Sequence, residues 1–190
     1  ETIAAARCLQ AAMPDALTTG AVGGGDPIPG FDFGNTPTVF QNLRLDNRPL
    51  IQSTAAGAHG ITRFNQVRAL FAGSLVCARA TAAAIAALNP SEVTFVITGE
   101  WVDRDGDEDI ACADYLAALL SGTNPDPLRY EQRVRNSDFG RRFLAEDNPN
   151  LPASDLELCA VANRFDFAMH ASRLHDHMVL RRVLPGRANR

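Results

Sequence analysis

The sequence contains no lysine, so all 18 of its basic residues are arginines. Without a lysine amine the chain cannot form a Schiff base, anchor pyridoxal phosphate or complete a Walker-type phosphate loop. The enzyme classes that depend on these groups are therefore excluded. Arginine remains, and its planar guanidinium is suited to bidentate binding of a phosphate or a sulfonate.

Cysteines are few and far apart, at positions 8, 77, 112 and 159. They form no Cys-x-x-Cys pair, so we expect small buried thiols in a reducing cytoplasm rather than a zinc site or a disulfide framework. Long apolar runs are missing too, since no stretch approaches the ~20 residues that a membrane-spanning helix needs. The formal net charge is −4 and there is no basic run, so a nucleic-acid surface is not expected.

The length of 190 residues suits one well-buried α/β domain and is short for two, so we treat 1–190 as a single domain. The chain opens at Glu1 inside an alanine-rich helical pattern, and we expect that an amino-terminal segment is missing. Strand-like runs at 16–19, 49–54 and 93–98 alternate with helical patterns at 2–12, from 58 onward and at 78–88. This alternation predicts a sheet with parallel pairs and helices on both faces.

The stretch 93–120 combines an apolar run, an acid-rich loop and an amphipathic helix. Residues 93–98 are mostly β-branched or aromatic and end at Gly99, which predicts an interior strand covered on both faces. Asp105 can cap the next helix, predicted over Asp107–Leu120, with Glu108 as its capping-box partner. Ligands of open α/β sheets bind beyond the carboxyl ends of strands, so the loop 100–107 lies where a site is expected.

Carboxylates are more numerous in this stretch than helix capping requires: they are Glu100, Asp103, Asp105, Asp107, Glu108, Asp109 and Asp114. One explanation is that acids favour the positive end of the helix dipole. The other is a site for a hard cation, because Mg²⁺ prefers carboxylate oxygens and needs only one or two of them beside a substrate phosphate. The residues alone leave both explanations open.

Two earlier segments are further candidates for ligand contact. The loop 20–37 carries six glycines and three prolines, which suits either close backbone approach to a ligand or a surface connection. The turn 53–57 leads from a predicted strand into a helix, where backbone N–H groups and a hydroxyl of Ser53 or Thr54 could hold a phosphate oxygen. Alternatively, Thr54 only caps the helix.

The carboxyl-terminal third is rich in arginine and histidine. Most of its arginines are expected in solvent. Alternation at 165–172 and 178–183 predicts an antiparallel hairpin that turns at His175 and Asp176. The three histidines of this region are expected on strand surfaces or in the turn rather than on a metal.

Six segments carry a family resemblance: GGDPIPGFDFGNTP (24–37), LIQSTAAGAHGI (50–61), AGSLVCARATAAAI (72–85), TGEWVDRDGDEDIACADYL (98–116), RVRNSDFG (133–140) and ANRFDFAM (162–169). In order and spacing they resemble the 2-phosphosulfolactate phosphatase family, the ComB-type enzymes of coenzyme M biosynthesis. Ala21 and Ala58 depart from the pattern, where a glutamate and a threonine would be usual. The resemblance also implies that an amino-terminal strand and helix of the family are absent.

The resemblance implies an α/β fold, a three-layer α/β/α sandwich with a mixed, largely parallel sheet. It further implies Mg²⁺ as cofactor, with Glu100, Glu108 and Asp109 as metal ligands and with Asp109 and Glu108 as catalytic residues. The implied substrate-binding residues are Gly34, Asn35, Thr54, Gly57, Arg135 and Arg164.

On this basis we expect a phosphoric monoester hydrolase that converts 2-phosphosulfolactate to sulfolactate and phosphate. The alternative is a catalytically weak or inactive paralogue that binds a phosphorylated or sulfonated metabolite. The expected partner is a small anionic phosphorylated substrate. No nucleic-acid or membrane partner is expected, and the expectation includes a homodimer. The expected location is the cytoplasm.

Overall fold

A computed structural model describes residues 2–22, 25–54, 56–64, 66–99, 105–145 and 147–186. The helices are α1 (Ile3–Ala12), α2 (Gly57–Arg63), α3 (Ala78–Ala87), α4 (Asp107–Leu120), α5 (Pro127–Asn136), α6 (Asp138–Leu144) and α7 (Ala153–Cys159). The strands are β1 (Leu17–Val22), β2 (Asp26–Pro27), β3 (Leu50–Ser53), β4 (Leu70–Ala72), β5 (Ala168–Leu174) and β6 (His177–Val183). Short 3₁₀ turns cover Pro37–Phe40 and Leu75–Cys77.

The described strands form two three-stranded sheets. In the first, in the order β2-β1-β3, β1 runs parallel to β3 and antiparallel to β2. The second, in the order β4-β5-β6, is antiparallel throughout. Helices combined with mixed and antiparallel sheets are consistent with the α/β class. A largely parallel sheet in a three-layer sandwich is not confirmed, because three of these four strand pairings are antiparallel.

Helix α4 has the predicted bounds, but its cap differs from the prediction. The N-cap residue is Gly106, whose φ of 63° lies in the left-handed region that favours glycine. Asp105 stands one residue earlier, and its Oδ1 accepts a hydrogen bond from the N–H of Asp107 at 3.1 Å. The predicted capping box between Asp105 and Glu108 is therefore wrong, which leaves the Glu108 carboxyl group available for other contacts.

The predicted interior strand at 93–98 is wrong. The structure assigns these residues neither strand nor helix, and Val93 and Val96 are 36% and 46% exposed. Only Phe95 of this run packs against the core around Tyr115. An apolar run becomes an interior strand only when neighbouring strands pair with it. Within the described ranges, none of the strand pairings includes this run, although β3 and β4 are outer strands of their sheets.

The larger buried cluster holds α4 against α3. Tyr115 of α4 is fully buried and packs with Leu116 against Leu75 and two alanines of α3. The Tyr115 hydroxyl accepts a hydrogen bond from Nδ2 of Asn163 at 2.7 Å, and the backbone N–H of Asn163 donates to the Leu75 carbonyl at 3.0 Å. These contacts fix the orientation of α4, and with it the positions of the acidic residues in its first turn.

A second attachment joins α4 to α5 through Arg133. Its guanidinium donates to Asp107 Oδ1 at 2.5 Å and to Asp114 Oδ2 at 2.7 Å. These hydrogen bonds raise the pKa of Arg133 above its ordinary value. Because Asp107 is paired in this way, it serves the helix packing and not the neighbouring acid pair.

We expect the substitution Arg133→Met to lower the melting temperature by about 2–4 °C, because such a partly exposed ion-pair network contributes about 1 kcal/mol. Arg129→Met is the matched control on the same helix, since Arg129 is exposed and has no ion-pair partner within the described residues. Differential scanning calorimetry of both variants measures the effect. Equal melting temperatures for Arg133→Met and the wild type would contradict it.

Candidate active site

Asp109, in the first turn of α4, binds the backbone that precedes the acid-rich loop. Its Oδ2 accepts hydrogen bonds from the N–H of Gly99 at 2.8 Å, the N–H of Thr98 at 3.1 Å and the hydroxyl of Thr98 at 3.3 Å. Three donors on one oxygen fix the carboxylate in place. The other oxygen, Oδ1, has no hydrogen-bond partner within the described residues.

Glu108 lies beside Asp109 and is half-buried. Burial raises the pKa of Glu108, and the negative charges of Asp109 and Asp105 raise it further. Hydrogen bonds from its own backbone N–H and from the side chain of Ser137 act in the opposite direction. The Ser137 hydroxyl also lies 2.8 Å from the Val134 carbonyl oxygen, and its single proton serves one acceptor at a time.

The two carboxylates converge over Gly99. A Cβ at this position would lie 2.9 Å from Glu108 Oε1 and 3.1 Å from Asp109 Oδ2, closer than side-chain carbons approach such atoms. One oxygen of each carboxylate therefore occupies the place that a side chain at Gly99 would take, and we call this meeting point of the two carboxylates the recess at Gly99. Within the described ranges, no group of three or more histidine, cysteine, aspartate or glutamate side chains is arranged to hold a metal ion.

Helix α2 packs beside this recess. A Cβ on Gly60 would lie only 2.7 Å from Thr98 Cγ2, so glycine is required for the helix to approach Thr98 this closely. At the start of α2, the Ala58 N–H donates to Thr54 Oγ1 at 3.4 Å. The N-cap residue of α2 is nevertheless Ala56, and no side chain caps the helix, so the predicted capping role of Thr54 is wrong. The space above Gly57 is open, since a Cβ there would contact nothing within 4 Å.

The predicted residues Gly34 and Asn35 lie at the carboxyl end of β1. Thr19 Oγ1 of β1 donates to the Gly34 carbonyl oxygen at 2.6 Å. Because β1 and β3 are parallel, with Gly20 opposite Ser53, the chain segments after both strands begin at the same edge of the sheet. Asn35 is exposed and its side chain makes no hydrogen bond within the described residues. We call residues 34–38 the Asn35 loop.

Known proteins match this chain over most of its length. The family model for 2-phosphosulpholactate phosphatase matches residues 1–151. A protein of Bacillus subtilis named "Probable 2-phosphosulfolactate phosphatase" is 26% identical over 177 residues, which cover 93% of this chain and 76% of that protein. One of the same name from Carboxydothermus hydrogenoformans is 34% identical over 154 residues, covering 75% of this chain and 63% of its own length.

The chain belongs to the 2-phosphosulpholactate phosphatase family. This is a family of phosphoric monoester hydrolases. The predicted family resemblance is therefore confirmed, and the recess at Gly99 and the Asn35 loop both lie within the matched residues. No helix in the described part of the chain has the length and apolar character needed to cross a bilayer.

The two arginines predicted to bind substrate have other surroundings in this family member. Arg135 forms a bidentate ion pair with Glu157 of α7, with N–O distances of 2.5 and 3.0 Å. Arg164 lines a cavity of about 440 Å³ with Arg79 and Phe165, and its guanidinium lies over the Phe165 ring at 6.0 Å. Neither arginine forms a described hydrogen bond or ion pair with Glu108 or Asp109. The third predicted metal ligand, Glu100, lies outside the described residues.

Thr98 and Ser137 contact the acid pair but are absent from the predicted site. Thr98 is the last residue of the predicted strand, and nothing in that pattern indicates that its hydroxyl bonds to Asp109. Ser137 could have been recognised as a helix N-cap, because its hydroxyl accepts a hydrogen bond from the Gly140 N–H at 3.0 Å and an arginine-rich helical pattern follows it. Its proximity to Glu108 depends on how α6 packs against α4 and is not visible in the sequence.

Proposed function

We propose that this protein is a Mg²⁺-dependent phosphatase that hydrolyses a small phosphorylated hydroxy acid, with 2-phosphosulfolactate as the substrate. The observation that carries the proposal is the convergence of Glu108 and Asp109 over Gly99. Family membership supports phosphate ester hydrolysis, and the name shared by the relatives indicates the substrate.

The acid pair suits the ion that the family resemblance implies. Mg²⁺ is commonly held by one or two carboxylates together with substrate phosphate and water. Glu108 Oε1 and Asp109 Oδ2 line one recess, and Asp109 Oδ1 has no partner within the described residues. We therefore assign Glu108 and Asp109 as the residues that would hold the ion. When bound, Mg²⁺ would offset phosphate charge and polarise the ester.

The residues of the chain have separate roles in this proposal. The N–H groups of Thr98 and Gly99 hold one side of the Asp109 carboxylate, so its free oxygen keeps a fixed direction. Ser137 lies beside the Glu108 carboxyl group and acts to lower its pKa. Asn35 is exposed and its amide has no hydrogen-bond partner among the residues that the structure describes, so it can donate hydrogen bonds to an anionic substrate. Holding the reacting groups in one geometry is the main protein contribution to phosphoryl transfer.

Phosphate release from 2-phosphosulfolactate tests the proposal directly. We expect release in the presence of Mg²⁺, loss of release on adding a chelator, and recovery when Mg²⁺ is restored. Phosphoserine, which carries an ammonium and a carboxylate but no sulfonate, is the matched substrate control and should react more slowly. Release that persists in excess chelator would contradict the assigned metal requirement, and no release under any condition would contradict the phosphatase.

The second candidate is a paralogue that binds a phosphorylated or sulfonated metabolite without hydrolysing it. One observation favours it: Arg135 is neutralised by Glu157, and Arg164 lines a separate cavity. Within the described residues, no ion pair brings an arginine to the acid pair. Calorimetric titration with 2-phosphosulfolactate distinguishes the two, because binding without phosphate release supports the paralogue.

A further inference from the structure

Asp155 of α7 is a buried carboxylate that bonds a distant part of the chain. It is 1% exposed, and its Oδ1 accepts the N–H of Thr38 at 2.9 Å and the hydroxyl of Thr38 at 2.7 Å. Its Oδ2 is buried without a hydrogen-bond partner within the described residues. Burying a carboxylate is costly unless hydrogen bonds compensate for its lost hydration. Here both described bonds go to a single residue of the Asn35 loop.

Thr38 is where the Asn35 loop turns into the 3₁₀ turn Pro37–Phe40. Pro37 has no N–H to donate, and the N–H of Val39 is used within the turn, on the Thr36 carbonyl at 3.2 Å. Thr38 therefore supplies the backbone N–H by which this end of the loop is attached to α7. The Asp155 carboxylate uses that donor and the adjacent hydroxyl together.

The segment that leads into the Asn35 loop is attached to β1 in the same way. Asp32 Oδ2 accepts the N–H and the hydroxyl of Thr18, both at 2.8 Å, and these bonds lower the pKa of Asp32. Thr19 then holds the Gly34 carbonyl oxygen at 2.6 Å. Asn35 lies between these attachments and that of Thr38. Its exposed side chain is thus carried on a short backbone segment fixed on both sides.

Helix α7 also connects to the acid pair. It packs against α6, whose N-cap residue Ser137 lies close enough to Glu108 to lower the pKa of its carboxyl group. Asp155 therefore connects two parts of the proposed site, because its helix packs against the helix that starts beside Glu108 and its own carboxylate holds the Asn35 loop. It lies outside residues 1–151, the part of the chain that the family model matches.

We propose that Asp155 is a positioning residue for anion binding: by holding Thr38 from the other end of the chain, it fixes the loop that presents Asn35 to the phosphate of the substrate. This inference rests on the proposed function and assigns the loop to substrate binding rather than to the chemical step. A binding contact of this kind changes KM and leaves kcat nearly unaffected.

The test combines Asp155→Asn with two substitutions at Thr38. Asparagine keeps the size of the side chain and removes its charge, Thr38→Val removes the hydroxyl, and Thr38→Ser keeps both donors. We expect the first two to raise KM for 2-phosphosulfolactate about tenfold with kcat changed less than about twofold. Thr38→Ser should resemble the wild type. Glu157→Gln is the control on the same helix, and we expect it to leave KM unchanged.

A second readout does not require turnover. Inorganic phosphate is titrated in the presence of Mg²⁺ while the backbone amide signal of Asn35 is followed by NMR, and we expect about tenfold weaker binding in Asp155→Asn and Thr38→Val. Weaker binding in both, without turnover in the wild type, would support the positioning role and contradict the phosphatase. Unchanged KM and unchanged binding in a folded Thr38→Val protein would overturn the inference. So would a wild type that does not bind phosphate at all.

Discussion

The substitution Asp109→Asn should reduce phosphate release on the order of a hundredfold or more while the protein stays folded. The amide has nearly the same volume as the carboxylate, and its one oxygen can still accept the N–H groups of Thr98 and Gly99. What is lost is the charge, and with it the second carboxylate oxygen, Oδ1, which has no hydrogen-bond partner within the described residues. Replacing charged hydrogen bonds with neutral ones costs about 1–2 kcal/mol of stability, far less than the expected loss in the rate.

Asp107→Asn is the matched control for this prediction. Asp107 lies two residues away on the same helix, but its carboxylate pairs with Arg133 instead of lining the recess. We expect this variant to show a lower melting temperature and an almost unchanged kcat. Steady-state kinetics and thermal melting are measured on both variants. Together they distinguish the effect of removing the charge at the recess from the effect of removing any other acidic charge of the helix. Equal loss of activity in the two variants would contradict the special role of Asp109.

The substitution Glu108→Gln should abolish most of the activity and, at pH 7, raise the melting temperature. Burial and neighbouring charges raise the pKa of Glu108 above its unfolded value. The folded state therefore favours the protonated carboxyl group. The resulting contribution to stability is complete below the unfolded pKa and is lost as the pH rises through the folded pKa. At neutral pH the ionised carboxylate is a net cost, and glutamine removes it.

The pH dependence provides the decisive measurement. We expect glutamine to raise the melting temperature at pH 7, because the folded state disfavours the ionised carboxylate. The gain should shrink as the pH is lowered below the ordinary range of a glutamate. Glu92→Gln, at an exposed position, is the control. Glu131→Gln is less suitable, because Glu131 Oε1 accepts a hydrogen bond from the Ala162 N–H. A melting temperature that falls at pH 7 would contradict the assignment of Glu108 as a strained, functional carboxyl group.

Local features of the fold could be predicted from the sequence, while pairing between distant segments could not. Helix α4 and the hairpin of β5 and β6 follow the predictions because apolar periodicity and turn residues act over a few positions. The run 93–98 has the composition of a strand, but whether it forms one depends on partners that its own residues do not determine. The cap of α4 is an exception among the local features, because a left-handed glycine takes the position one residue after the expected aspartate.

The candidate site shows a similar division. Glu108 and Asp109 stand out in the sequence as acids in excess of what capping needs, and the structure brings both to Gly99. Arg135 also stands out as a cation for phosphate, but its ion pair with Glu157 joins residues 22 positions apart. Nothing in the spacing of these two residues identifies them as partners. Charge type is therefore visible in the sequence, while the partner of each charge is set by packing.

The bond between Asp155 and Thr38 spans 117 positions of the chain, which affects how the protein folds as well as what it binds. Closing so long a loop costs conformational entropy, which is offset only by contacts that form later. Such non-local contacts therefore slow folding. During synthesis, Asp32 and Thr18 are available to each other early, whereas α7 is made much later. We therefore expect the Asn35 loop to be anchored first at its amino-terminal side and to reach its final geometry only in a late step of folding, after most of the chain has been synthesised.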